Sequence, residues 1–194
     1  IAVSDIHRTD SHSLWIWEYK RPYVEGYIIN QDYVIYQEEN TRKIIKPDMA
    51  SFAILGSGLA KDKNGIYYQG DFIKIDTTGF GVVCFIYDKQ SDYIEPIWRT
   101  YKKAFRGKKP IAISDPATFE SVTTCYFKDK NYLYYYDQKV EGADVATLQK
   151  ELADEEFVSD KDNTYYRGKP FIYKGERVQQ VSNNIYKTTT HVLR

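Results

Sequence analysis

Net charge is the first thing this sequence lacks: its 194 residues carry 27 basic and 27 acidic side chains. That balance excludes the basic excess that usually marks a nucleic-acid binder. It also removes any global attraction to an anionic membrane. Methionine occurs once, and runs of alanine or leucine are absent, which argues against a helical protein. No apolar run approaches the ~20 residues of a membrane-spanning helix. The chain opens at Ile1 with no Met and no signal-peptide pattern, compatible with a fragment or with a processed chain. Cysteine is limited to Cys84 and Cys125, in the apolar contexts GVVCFIY and TTCYF. They are either two buried thiols acting as small hydrophobes or a disulfide, which needs close Cα atoms and an oxidising compartment.

What is present in excess is tyrosine: 19 residues, beside 9 Phe and 3 Trp. Tyr, Phe, Val, Ile and Thr suit pleated, half-buried surfaces. The stretch Lys128–Asp137, KDKNYLYYYD, concentrates this composition behind a charged knob, and it recurs. Asp62-Lys-Asn-Gly-Ile-Tyr-Tyr68, Asp129-Lys-Asn-Tyr-Leu-Tyr-Tyr135 and Asp160-Lys-Asp-Asn-Thr-Tyr-Tyr166 align. Looser copies sit at Tyr33–Tyr36 and Lys103–Gly107. The aromatic column Tyr36, Tyr68, Phe105, Tyr135, Tyr166 has spacings of 32, 37, 30 and 31. A second motif follows the first four copies, beginning at Asp48, Asp76, Asp115 and Asp144 and reading Asp-x-x-Ser/Thr-Phe/Leu in its clearest forms. Two motifs recurring in one order predict a repeat of about 30 residues.

Each unit has a physical reading. The Asp-Lys-Asn knob is turn chemistry, because Asp and Asn bond nearby backbone and tolerate left-handed φ. The Ile/Leu-Tyr-Tyr run is a strand. Gly70, Gly107 and Gly168 permit a tight reversal into a return strand. The following Asp suits a helix N-cap, with Pro116 at a first-turn position. Extra strands are expected at Gly81–Tyr87 and Tyr93–Tyr101, an N-terminal hairpin at Leu14–Tyr19 and Tyr23–Ile29, and a helix at Lys150–Glu156. The expected fold is mainly β (α+β), a curved antiparallel sheet assembly of hairpin and helical-turn repeats. It forms one domain over 1–194: a hairpin in 1–30, about five repeats in 31–177 with the third degenerate, and strands in 178–194.

These motifs resemble the DKNYY family of bacterial repeat proteins, most clearly at Asp129–Leu148 and also at Asp62–Tyr68 and Asp160–Tyr166. The resemblance covers roughly residues 31–177. It implies a bacterial protein, often envelope-associated, and assigns no reaction and no catalytic residue.

Candidate chemistry is sparse. Asp160-Lys-Asp162-Asn-Thr164 offers oxygens at alternate positions, as an EF-hand begins. Tyr165 and Phe171 stand where that loop needs Gly and Glu, so an Asx-type turn is expected. His7, His12 and His191 lie near the ends without zinc-ligand spacing. Gly56-Ser57-Gly58-Leu-Ala-Lys61 lacks the spacing of a phosphate loop, and no nucleophile elbow occurs. Glu38-Glu39 and Glu155-Glu156 read as solvated turns. No catalytic residue, metal or cofactor is expected. Strand alternation puts Leu133 and Tyr135 on one face, with Tyr134 on the other. Tyr67, Tyr134 and Tyr165 are thus equivalent: either an exposed ladder for a partner or a second core layer.

The expected function is non-catalytic protein binding. Its concrete form is a bacterial immunity or inhibitor protein that occludes a secreted antibacterial toxin. Binding residues would be Tyr67, Tyr134 and Tyr165, with Arg106 and Arg167 at hairpin tips, since aromatics and arginine anchor interfaces. The alternative is an envelope- or carbohydrate-binding module using Trp15, Trp17 and Trp98 as stacking platforms. The expected compartment is the periplasm or cell envelope, with the cytoplasm as the alternative.

Overall fold

A computed structural model describes residues 26–38, 40–88, 93–150, 155–182 and 185–193. Over these the chain is mainly β, built of small antiparallel sheets, and no α-helix occurs among the described residues. The α+β expectation is corrected accordingly. Within Lys150–Glu156, Lys150 ends a strand whose partner is Phe157–Ser159, and Glu155 and Glu156 lie in a turn. Of this expected helix, residues 151–154 lie outside the described residues. The Asp turns form single 3-10 turns at Pro116–Thr118 and Val145–Thr147. The expected strand Leu14–Tyr19 lies outside the described residues.

Strands β1 (Gly26–Ile29), β2 (Val34–Glu38) and β3 (Thr41–Ile45) make a three-stranded sheet. Four meanders follow, each a separate four-stranded sheet with sequential neighbours. The first is β4 (Ala53–Gly56), β5 (Leu59–Lys61), β6 (Ile66–Tyr68) and β7 (Asp71–Ile73). The second is β8 (Gly81–Asp88), β9 (Tyr93–Arg99), β10 (Ala104–Arg106) and β11 (Lys109–Ile111). The third is β12 (Glu120–Ser121), β13 (Tyr126–Lys128), β14 (Leu133–Tyr135) and β15 (Gln138–Val140). The fourth is β16 (Gln149–Lys150), β17 (Phe157–Ser159), β18 (Thr164–Tyr166) and β19 (Lys169–Pro170). A two-stranded ribbon, β20 (Ile172–Tyr173) with β21 (Glu176–Arg177), and a sheet of β22 (Gln179–Ser182), β23 (Ile185–Lys187) and β24 (Val192–Leu193) complete the chain.

Two compact units result: Ile1–Thr78 with Tyr87–Pro96, and Gly79–Ile86 with Ile97–Arg194. In the first, Val34, Leu59, Ala60 and Ile66 are sealed from solvent. An aromatic chain crosses that core: Tyr36 to Tyr27, Tyr27 to Phe52, Phe52 to Tyr67 and Tyr67 to Phe72, with ring centroids 5.0–5.8 Å apart. Such tilted and edge contacts suit the aromatic quadrupole.

In the second unit the meanders share their cores. Ile86, Ile97, Ala104, Phe119, Phe127 and Tyr134 form one cluster. Val122, Tyr126, Leu133, Val140, Val158 and Tyr165 form another. Tyr134 belongs to the first and its neighbour Leu133 to the second, so both faces of β14 are buried against adjacent meanders. This explains why the tyrosine run is apolar on both sides: alternation here serves two cores and not a core and a wet face.

Tight reversals join the inner strands. Arg167 and Gly168 both have positive φ, 49° and 77°, between the paired residues Tyr166 and Lys169. That is the signature of a two-residue I′ hairpin. Gly168 is also a close-approach site, since a Cβ there would stand 2.8 Å from Tyr135 Cβ. Its N–H donates to the Tyr126 hydroxyl at 2.9 Å. Gly168→Ala therefore combines left-handed strain with overpacking and is expected to destabilise by about 2–4 kcal/mol. Gly175, at φ 83° with open space beside it, is the control: Gly175→Ala should cost only the strain, about 1–2 kcal/mol. Denaturant titration of the two variants separates the contributions.

Candidate functional site

The knob aspartates are buried and saturated with donors. Asp62, Asp129 and Asp160 are 5%, 1% and 3% exposed. One oxygen of each accepts the backbone N–H groups two and three residues on; at Asp129 these are Asn131 (2.7 Å) and Tyr132 (2.8 Å). The other oxygen accepts a distant backbone N–H: Asp48 on Asp62 (2.7 Å), Asp115 on Asp129 (2.8 Å) and Asp144 on Asp160 (2.8 Å). The hydroxyls of Tyr67, Tyr134 and Tyr165 donate to that same oxygen at 2.8–3.0 Å. A carboxylate offers about four acceptor sites, and each of these receives at least four protein donors, Asp62 also taking the Asn64 side-chain amide at 3.4 Å.

The adjoining lysine completes the joint. Lys63, Lys130 and Lys161 pair with Asp48, Asp115 and Asp144 at 2.7, 2.9 and 3.1 Å. Their backbone N–H groups donate to Ser51, Thr118 and Thr147. The Asp-x-x-Ser/Thr motif is therefore a receptor for the knob that comes after it, 14 to 16 residues later. These lysines hold the carboxyls of Asp48, Asp115 and Asp144 below the usual range. Burial pushes the Asp62 carboxyl up, and hydrogen bonds from Asp48, Asn64, Tyr67 and Gly65 more than reverse it, leaving it low.

Three further turns share this geometry without an aspartate: at Thr123 the hydroxyl accepts from Cys125 and Tyr126 N–H, and Thr123 N–H donates to the Tyr126 carbonyl at 3.0 Å; Thr100 and Thr188 are the other two. The Thr100 hydroxyl accepts from Lys102 and Lys103 N–H, and Thr188 accepts from Thr190 and His191 N–H. These two also close with the backbone bond that Asp129 makes, three residues apart: Thr100 N–H to Lys103 C=O and Thr188 N–H to His191 C=O, each 2.8 Å. A threonine hydroxyl substitutes for the carboxylate, so the spelled motif Asp-Lys-Asn does not reveal them; Thr-x-x before a strand was the available signal.

The saturated Asp160 confirms turn chemistry at the EF-hand-like stretch, and no group of His, Cys, Asp or Glu suited to a metal occurs among the described residues. Tyr67, Tyr134 and Tyr165 are 5%, 3% and 1% exposed. They are the core layer and the knob's donors. The exposed-ladder expectation is corrected, because each ring lies against the neighbouring layer. Burial, followed by the Asp62 bond at Tyr67 and the Asp129 bond at Tyr134, pushes both hydroxyls up to about 12. Tyr126 is likewise pushed up to about 12, mainly by burial. A folded-state value above the unfolded 10.0 means full stability below pH 10 and loss as pH rises through about 12. A fraction of the phenolate absorbance in an alkaline titration should accordingly appear only together with loss of circular dichroism. Ionisation of all 19 tyrosines while the circular dichroism is still intact would contradict this.

Cys84 and Cys125 are both free. Cys84 packs with the Ile86 cluster and Cys125 with the Tyr126 cluster, so the two thiols are committed to different cores and the disulfide expectation is corrected. Burial pushes the Cys84 thiol up to about 11. Trp98 is fully buried, which removes it as a sugar platform; Trp15 and Trp17 lie outside the described residues.

Arg106 ends β10 and Arg167 lies in the β18–β19 turn. Arg106 stands over the Tyr136 ring at 5.8 Å and Arg167 over Tyr166 at 5.0 Å. Lys139 lies over Tyr132 at 3.8 Å and Lys174 over Tyr173 at 5.4 Å. Arg167 also makes a two-pronged bond with Glu156, at 2.9 and 3.0 Å, which raises its affinity for a proton. These pairs sit at or beside hairpin tips, where they present aromatic faces and cations together.

Fold and site define a class: a mainly β protein of short antiparallel sheets, joined by buried aspartate turns and edged with tyrosine–cation pairs. Residues 27–169 match the DKNYY family, and the chain belongs to it. No curated protein and no solved structure matches the chain.

Proposed function

We propose that the chain is a non-catalytic protein-binding protein, an immunity or inhibitor protein that occludes a secreted antibacterial toxin. In this reading, hairpin-and-turn repeats of about 30 residues form the scaffold. The observation that carries it is the set of cation–tyrosine pairs at the hairpin turns, Tyr132 with Lys139, Tyr136 with Arg106 and Tyr166 with Arg167. Tyrosine and arginine supply most hot-spot energy in protein interfaces. The saturated knobs support it too, since they hold the strands that carry these pairs, and a preorganised surface loses less entropy on binding.

The test is co-expression with products of the adjacent genes in the source genome. A neighbour that arrests growth alone, is neutralised by this chain and co-purifies with it is the expected result. Arg167→Ala with Tyr132→Ala should then weaken the complex about 30-fold or more while leaving the fold intact. Neighbours that neither bind nor harm a host would sink the reading.

A further inference from the structure

The Asp62 knob carries the chain's one Asn-Gly dipeptide, Asn64-Gly65. Asparagine is thermolabile, and its weak point is attack by the next backbone nitrogen on its side-chain carbonyl carbon. Glycine in second place favours that attack, because no Cβ shields its nitrogen. In the other knobs Tyr132 follows Asn131 and Thr164 follows Asn163, a bulky and a β-branched residue.

Packing imposes the glycine. A Cβ at Gly65 would stand 2.6 Å from Phe72 Cε2 and 2.8 Å from the Ile73 carbonyl oxygen, so β7 crowds out any side chain there. The labile pair is therefore built into the joint. Elsewhere the asparagine side chains are firmly held: Asn131 Nδ2 donates to Ser114 Oγ at 2.8 Å, and Asn163 Oδ1 accepts from Arg177 at 2.7 Å. Asn64 is exposed, and its amide reaches Asp62 at a long 3.4 Å.

The knob also holds the nucleophile. Gly65 N–H donates to Asp62 Oδ1 at 3.0 Å, beside Asn64 N–H on the same oxygen at 2.7 Å. A bond to a buried carboxylate keeps the Gly65 nitrogen protonated and turned toward Asp62. Attack needs that proton gone and the nitrogen turned to Asn64 Cγ, so it needs the knob to open.

We infer that Asn64 is a site of spontaneous deamidation, and that the Asp62 knob is the latch that sets its rate. The Gly65 nitrogen gives up its proton and bonds to Asn64 Cγ. The bond from Cγ to the side-chain nitrogen breaks, and that nitrogen leaves with the proton as ammonia. Water then opens the succinimide at either carbonyl, giving aspartate or isoaspartate at that position. Isoaspartate lengthens the backbone there and moves Gly65 N–H off Asp62, so a transient opening of the knob becomes permanent.

The test is peptide mass mapping of the full chain held at mildly alkaline pH, with the same chain in concentrated urea as the unfolded reference. Deamidation at Asn64 should be at least about tenfold slower in the folded chain than in urea, because only the opened fraction reacts. In urea Asn64 should outpace Asn131 and Asn163, with isoaspartate among the products. Asp62→Ala should raise the folded-state rate at least about fivefold. That variant is also less stable, so Asp129→Ala is the control: it removes the matching carboxylate of another knob and should leave Asn64 near the wild-type rate. Equal rates folded and unfolded, an inert Asn64 in urea, aspartate as the sole product, or no acceleration by Asp62→Ala would overturn the inference. Equal acceleration by the two alanine variants would overturn it as well, by making opening of the whole chain, and not of this knob, the controlling step.

Discussion

Asp129→Ala is expected to lower the free energy of unfolding by about 3–5 kcal/mol. The carboxylate is 1% exposed and accepts from Asn131 N–H, Tyr132 N–H, Asp115 N–H and the Tyr134 hydroxyl, all at 2.7–2.8 Å. Alanine removes every acceptor and leaves the donors behind, and an unmet buried donor costs more than the bond itself contributes. Tyr134→Phe is the graded companion. It removes one donor from Asp129 and one acceptor from Ser114 N–H, and should cost about 1–2 kcal/mol. Denaturant midpoints at constant slope measure both. If the alanine variant lost no more than the phenylalanine variant, the joint would not carry the stability assigned to it.

Trp98→Ala should destabilise by about 3–5 kcal/mol. The indole is fully buried, stacked on Phe105 with centroids 4.1 Å apart and planes 7° apart, and its Nε1–H donates to the Gly107 carbonyl at 2.7 Å. Removing it opens a large cavity and frees the β10–β11 turn that the indole fastens. A loss of that size in a chain of 194 residues lowers the melting temperature by about 10 °C. A tryptophan serving as an exposed sugar platform would tolerate alanine with little change in melting. The experiment thus also discriminates against the stacking-platform reading of Trp98.

Local chemistry was legible in the sequence because it is written locally. The Asp-x-Asn turns, the Tyr-Tyr strands and the Gly reversals are all decided within a few residues, and the structure places them at β6, β14 and β18 with their flanking loops. Partnership was not legible. Alternation separated Tyr134 from Leu133 but could not show that both sides meet a neighbouring layer. The knob and the Asp-x-x-Ser/Thr turn were visible as two motifs; which turn belongs to which knob is decided by folding, and the partner proved to be the turn upstream. Thr100, Thr123 and Thr188 escaped because a hydroxyl performs the bonding without the expected letters.

The upstream direction of the knob bond decides where the chain can be cut. A segment excised from one Asp-Lys-Asn to the next contains the knob of one joint and the receptor of another, and each end leaves half a joint behind. A segment running from Asp115 to Tyr134 keeps Asp129, its lysine and its receptor together. Gene duplications or deletions that respect the second boundary transmit intact joints, whereas those that follow the first orphan a buried carboxylate. Boundaries for grafting, shortening or splitting this chain are therefore better placed just ahead of Asp48, Asp115 and Asp144 than at the knobs that name the family.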